Sequence, residues 1–219
     1  MIVTVFVPIM YSYIKHLIFD LDGVLIDSRE LHYEAFNKAL EEIDSKYTIT
    51  REEHLSTYDG KSTKTKLDIL TKTKQLPKSD HDTVWKLKQK YTKHFLEYTK
   101  ENLELKRIFS HLKDNSIKIS VASNAVRETI ITSLHKLGIL NYCDYILSNE
   151  DVFLGKPNAE IYLRCMINTK TNPDETIIVE DSHTGRKGAL RSGATLCPVK
   201  DPSDTTYDYI TNFIKNTDL

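Results

Sequence analysis

The sequence predicts an α/β fold in which a parallel sheet carries helices on both faces and an all-helical segment is inserted after the first strand. Three observations predict it. The apolar run His16-Leu17-Ile18-Phe19 stops at two aspartates one residue apart, Asp20 and Asp22, followed by Gly23. From Asp27 to about Asn102, apolar residues recur at helical spacing and no stretch reads strongly as a strand. After Leu103, short apolar runs alternate with helical stretches, the rhythm of parallel strands joined by crossover helices.

Residues 1–13 are strongly apolar, but the run is too short to span a bilayer. It has no basic residue ahead of it and no clear small-residue cleavage site. It reads as an N-terminal extension, an extra edge strand in which Pro8 limits pairing, and no role is assigned to it. The first strand begins at His16. If it persists through Asp22, alternation puts Asp20 and Asp22 on one side with Leu21 opposite. Ser28 is placed to cap a helix in which Leu31, Ala35 and Ala39 repeat every fourth residue. Helices are expected over 64–74 and 83–99, the second with a stripe of Val84, Leu87, Tyr91 and Phe95. Residues 28–102 therefore form a helical domain, and residues 1–27 with 103–219 form the α/β core. Core strands are expected at 117–122, 144–147, 176–179 and 194–199. Helices lie between them at 126–136, 159–168 and 184–192, with Gly138 and Gly193 as stops.

The chain has 219 residues, 40% of them hydrophobic, which is enough for a sizeable core. A net charge of -1 argues against nucleic-acid binding by the molecule as a whole. Cys143, Cys165 and Cys197 form no C-x-x-C pair, and their odd number argues against a disulfide framework. A reducing, cytoplasmic setting fits, with no membrane partner and the cysteines acting as small apolar packing residues.

In sheets of this kind ligands bind at the carboxyl ends of the strands, near the point where strand order reverses. Two carboxylates as close as Asp20 and Asp22 repel and are costly to desolvate without a cation, and a hard divalent ion such as magnesium would relieve that repulsion. Gly23 lets the backbone turn and a ligand approach. For this motif alone, a solvated acidic turn is an equal reading. Ser123-Asn124 ends the second strand with a hydroxyl, an amide and backbone N–H groups suited to an anion, though both residues are also ordinary helix caps. Glu180-Asp181-Ser182 ends the fourth strand and could complete an oxygen-ligand metal site, or simply complement a helix dipole. Lys156, between Gly155 and Pro157, can reach back to a phosphate as a point charge, although a lone loop lysine is usually solvated. The weight comes from four such elements in one order on one sheet edge.

With Asp20-Leu21-Asp22-Gly23-Val24, Ser123-Asn124, Gly155-Lys156-Pro157 and Glu180-Asp181-Ser182 in this order, the chain resembles the haloacid dehalogenase-like hydrolase superfamily. It is most similar to the subgroup with a helical cap after the first strand, which includes β-phosphoglucomutase-like phosphatases. The resemblance covers nearly everything after Tyr13 and implies a Rossmann-like core with an inserted cap. It implies Asp20 as a nucleophile that forms an aspartyl-phosphate and Asp22 as the general acid/base, with its pKa raised so that it can protonate the leaving oxygen. It further implies magnesium held by Asp20, the Asp22 carbonyl and Asp181, with Glu180 behind them or bound through water. Ser123, Asn124 and Lys156 would bind the phosphoryl oxygens. Dehalogenases of the superfamily lack the carboxylate at the Asp22 position, so Asp22 points to phosphoryl transfer.

The cap candidates are His32, Gly60, Lys61 and Lys64. β-Phosphoglucomutases have a lysine just before the cap glycine and an arginine three residues after it, where this chain has Asp59 and Thr63. From Lys61 to Lys100 there are eleven lysines against four acids, so 11 − 4 = +7, which could attract an anionic substrate or be a solvated face. The expected activity is therefore a magnesium-dependent phosphatase acting on a small phosphorylated metabolite, such as a sugar phosphate. A phosphomutase is the alternative, and a catalytically silent binding module is third.

Overall fold

The computed structural model describes residues 13–58 and 61–217. The expected N-terminal edge strand, and the cap residues Asp59 and Gly60, lie outside the described residues. Five strands form one parallel sheet in the order β3-β2-β1-β4-β5. They are β1 (His16–Phe19), β2 (Lys118–Ala122), β3 (Tyr145–Leu147), β4 (Thr176–Glu180) and β5 (Thr195–Pro198). β1 is central, with His16 in register with Lys118 on one side and Thr176 on the other. The chain builds outward from β1 through β2 to β3, then returns to the far side for β4 and β5. The reversal leaves a crevice at the carboxyl end of β1.

Between β1 and β2 lie α1 (Arg29–Glu41), the short turn α2 (Arg51–Glu53) continuing into a π-helical turn His54–Tyr58, α3 (Thr63–Lys74), α4 (His81–Leu96) and α5 (Leu103–Asp114). The later helices are α6 (Arg127–Lys136), α7 (Glu160–Thr169), α8 (His183–Ser192) and α9 (Tyr207–Thr217). Alternation along β1 divides the core. Leu17 and Phe19 face one layer with Ile108, Phe109 and Leu112 of α5, Ile130 and Leu134 of α6, and Ile210 and Ile214 of α9. Ile18 faces the other, with Ile161, Tyr162 and Cys165 of α7 and Ala189 of α8. The inserted helices have an apolar cluster of their own, including Phe36 and Leu40 of α1, Leu67 and Leu70 of α3, and Val84 of α4.

Several expectations are corrected. β1 ends at Phe19, so the pleat does not place the two aspartates. The Asp20 N–H still donates to the Val179 carbonyl at 3.1 Å, and the chain then folds over itself, with Gly23 N–H to the Ile26 carbonyl at 2.8 Å and Ile26 N–H to the Leu21 carbonyl at 3.1 Å. Gly23 has φ +79°, which a side chain would strain. Ser28 precedes α1 but makes no side-chain cap; its hydroxyl donates to Asp22 instead. α5 and α9 were not anticipated, and α4 begins earlier and stops sooner than its expected span.

Candidate active site

The loops after β1, β2 and β4 and the loop before α7 meet α1, α3 and α4 around a cavity of about 730 Å³. Asp20, Asp22, Ser123, Asn124, Lys156 and Asp181 all line it, as do His32 of α1, Lys64 of α3 and Lys61 from the loop before α3. Glu180 is not on the wall; it is fully buried directly behind it.

Lys156 joins the two levels. Its ammonium lies 2.9 Å from Asp20 and 2.6 Å from Glu180, with 2% of its side chain exposed. Glu180 accepts in addition from Tyr162 Oη at 2.7 Å and from Ser182 N and Oγ, each at 3.1 Å. Gly185 allows this packing, since a Cβ there would fall 1.9 Å from Glu180 Oε1. Burial and the charge of Glu180 push the Asp20 carboxyl well above the usual range, against the pull of Lys156. For Lys156 burial opposes the charge, but Asp20 and Glu180 outweigh it and hold its pKa high. Glu180 is held low despite burial, through Lys156 and its hydrogen bonds.

Carboxylate oxygens of Asp20, Glu180 and Asp181 lie within 4.8 Å of one another. Asp181 Oδ1 is buried and has no hydrogen-bond partner among the described residues. Its other oxygen presses against the Gly23 backbone, where an added Cβ would sit 2.1 Å away. Burial first, then Glu180, pushes Asp181 up to about 6. An orphaned buried oxygen among clustered carboxylates fits a hard cation with oxygen ligands, and magnesium suits this donor set.

Asp22 turns the other way. It accepts from Ser28 and lies 3.2 Å from His32 Nε2, while His32 Nδ1 lies 3.3 Å from Lys88 Nζ. Burial works against its charge, but His32, these hydrogen bonds and Lys88 prevail and hold Asp22 down at about 2. This reverses the expected upward shift, because a basic chain descends on the carboxylate from α1 and α4. Burial and Lys88 lower His32, and burial with Lys66 brings Lys88 down to about 8.

The residues expected to bind phosphate are held in different ways. Ser123 is buried with its Oγ accepting from Ala125 N–H at 3.1 Å. Asn124 spends its side chain on the lysine loop, accepting from Lys156 N–H at 3.1 Å and donating to the Lys156 carbonyl at 3.4 Å. It thereby positions Lys156, and it also lines the cavity. Sequence reasoning missed Ser28, Lys66, Lys88 and Tyr162. For Lys88 a signal existed: it is four residues from buried Val84 on α4 and so shares its face.

A model of the haloacid dehalogenase-like hydrolase family matches residues 17–199. Over 177 residues the chain is 27% identical to a phosphorylated carbohydrates phosphatase of Thermotoga maritima, covering 81% of each. Over 183 residues it is 26% identical to a β-phosphoglucomutase of Bacillus subtilis, covering 82% of this chain and 80% of that one. The crystal structure of β-phosphoglucomutase from Clostridium difficile shares the fold, with a TM-score of 0.74 at 22% identity over 93% of this chain and 98% of that chain.

Proposed function

The chain belongs to the haloacid dehalogenase-like hydrolase family, and we propose that within it the protein is a magnesium-dependent phosphatase of a small phosphorylated metabolite, a sugar phosphate or similar, working through an aspartyl-phosphate. The supporting observation is Asp20 held 2.9 Å from a buried lysine, beside an Asp181 oxygen with no hydrogen-bond partner among the described residues. We divide the chain for this purpose into a core of residues 1–27 and 103–219 and a cap of 28–102.

Asp20 attacks phosphorus, and Lys156 steadies it and the phosphoryl oxygens as charge moves between them. Ser123 and the backbone at Asn124 face the same oxygens, while the Asn124 side chain fixes the lysine loop. Asp20, the Asp22 carbonyl and Asp181 would hold magnesium, which when bound offsets charge between aspartate and phosphate. Asp22 is ionised at rest, which suits the second half-reaction, where it takes a proton from the attacking water. In the first half-reaction the leaving oxygen needs a proton, and His32, hydrogen-bonded to Asp22, is the group that can relay one.

A mutase remains the second reading because Lys61, Lys64, Lys66 and Lys88 all line the cavity and could hold a second phosphate. A panel of phosphorylated metabolites, scored for released phosphate with and without magnesium, tests the first reading, and release indifferent to chelation would contradict it. β-Glucose 1-phosphate with a bisphosphate primer separates the two: the phosphatase gives at most free phosphate, the mutase gives glucose 6-phosphate.

A further inference from the structure

A second cavity, of about 650 Å³, lies between α4 and α6. It shares Trp85, Gln89, Val126 and Thr129 with the catalytic cavity, so the two are adjoining chambers. The catalytic chamber alone already falls within the roughly 300–1,000 Å³ of ordinary ligand pockets. The second chamber is room that a simple sugar phosphate leaves over.

The chemistry of the two chambers differs. Lysines crowd the catalytic one, whereas on the second wall Lys93 and Arg127 are held in ion pairs and Lys86 is the remaining cation. Lys93 of α4 reaches Glu128 of α6 at 2.7 Å, Arg127 pairs with Asp151 at 2.6 Å, and the Arg127 N–H donates to Glu150 at 2.6 Å. A second phosphate would meet only Lys86 outside an ion pair there, while an uncharged group would meet Trp85, Leu96 and Val126. Trp85 is the chain's one tryptophan and leaves 41% of its surface exposed at the junction of the chambers. An indole open to the cleft is a stacking platform for a flat ring, with Gln89, Thr129 and Thr132 around it to meet polar ring atoms.

We propose that the substrate's leaving group carries a planar aromatic ring, seated on Trp85 in the second chamber while its phosphate meets Asp20. This rests on the phosphatase reading above and narrows it to ring-bearing phosphate monoesters, of which nucleoside monophosphates are the sugar-phosphate kind.

Ribose 5-phosphate has a hydroxyl where adenosine 5′-monophosphate has its base, and the ratio of their kcat/KM values measures what the ring contributes. The expected ratio is about tenfold or more in favour of the ring. Trp85→Ala, which removes the platform, and Thr132→Trp, which fills the second chamber alone, should each bring it close to one. 1-Naphthyl phosphate separates the sources: hydrolysis as efficient as that of the nucleotide means any aromatic ring serves, and poor hydrolysis means the chamber reads a nucleobase. An equal kcat/KM for the nucleotide and ribose 5-phosphate, or a ratio that neither substitution moves, overturns the proposal. If neither ester is hydrolysed, the metabolite panel decides the phosphatase reading and binding decides the chamber separately. Fluorescence of Trp85 should then be quenched by adenosine 5′-monophosphate and not by ribose 5-phosphate, and absence of that difference overturns the proposal.

Discussion

Replacing Lys156 by Met tests the electrostatic centre of the site, because it removes a charge and little volume. The ammonium lies between two buried carboxylates, 2.9 Å from Asp20 and 2.6 Å from Glu180, in a side chain 2% exposed. Breaking a buried ion pair by deleting one partner costs about 3–5 kcal/mol, because the charge left behind has no compensation. Against a typical total stability of about 5–15 kcal/mol that is a large fraction. For a domain of this size it corresponds to a melting temperature lower by roughly 6–20 °C. Urea denaturation of wild type, Lys156→Met, Glu180→Gln and the double variant forms a cycle that isolates the coupling. The double variant should be more stable than Lys156→Met alone, because neutralising Glu180 removes one of the two stranded charges. Its phosphatase activity should stay absent, because Asp20 still lacks its cation. Acidification from neutral pH should recover part of the stability of Lys156→Met, since a protonated carboxyl needs no partner. A Lys156→Met protein within about 1 kcal/mol of wild type, or a cycle without coupling, would refute the reasoning.

Gly23→Ala should cost about 1–2 kcal/mol from the left-handed backbone at φ +79°. Because the new Cβ would sit 2.1 Å from Asp181 Oδ2, it should also weaken magnesium activation, read as a higher magnesium concentration for half-maximal activity. His16 is fully buried in β1, its ring 2.7 Å from Ser120 Oγ and 3.0 Å from Thr171 Oγ1. Burial lowers its pKa from 6.5 to about 4. Between these values the unfolded chain binds a proton that the folded one refuses, so stability rises with pH across that window. About 3 kcal/mol should be lost on acidification from above pH 6.5 to pH 4, a slope that urea denaturation of His16→Gln should lack.

The five strands were legible because buried parallel strands are short apolar runs bounded by turns; four of them fall within their expected stretches, and β4 runs one residue past its own, to Glu180. α5 was equally legible in principle: just ahead of β2, Leu105, Ile108, Phe109 and Leu112 recur at helical spacing. The same holds for Ile210 and Ile214 of α9. The direction in which Asp22 is tuned was not legible. It depends on His32 and Lys88, which lie 10 and 56 residues from their respective partners Asp22 and His32 and meet only when α1 packs on α4. Lysine-rich α4 reads as solvated surface until that packing is known. Tyr162 carries no sequence signal at all; it resembles any aromatic on the apolar face of a helix, and only the buried carboxylate of Glu180 gives its hydroxyl a purpose.

The most direct test of the account is to catch the phosphoryl group on Asp20. Acid quench during turnover of a substrate from the metabolite panel, with mass spectrometry of the peptide containing Asp20, should find one added phosphoryl group on that residue. It should vanish with chelation and in Asp20→Asn, which should release no phosphate. Phosphate release by Asp20→Asn at near wild-type rate, or full turnover with no phosphoryl group ever found on Asp20, would contradict it.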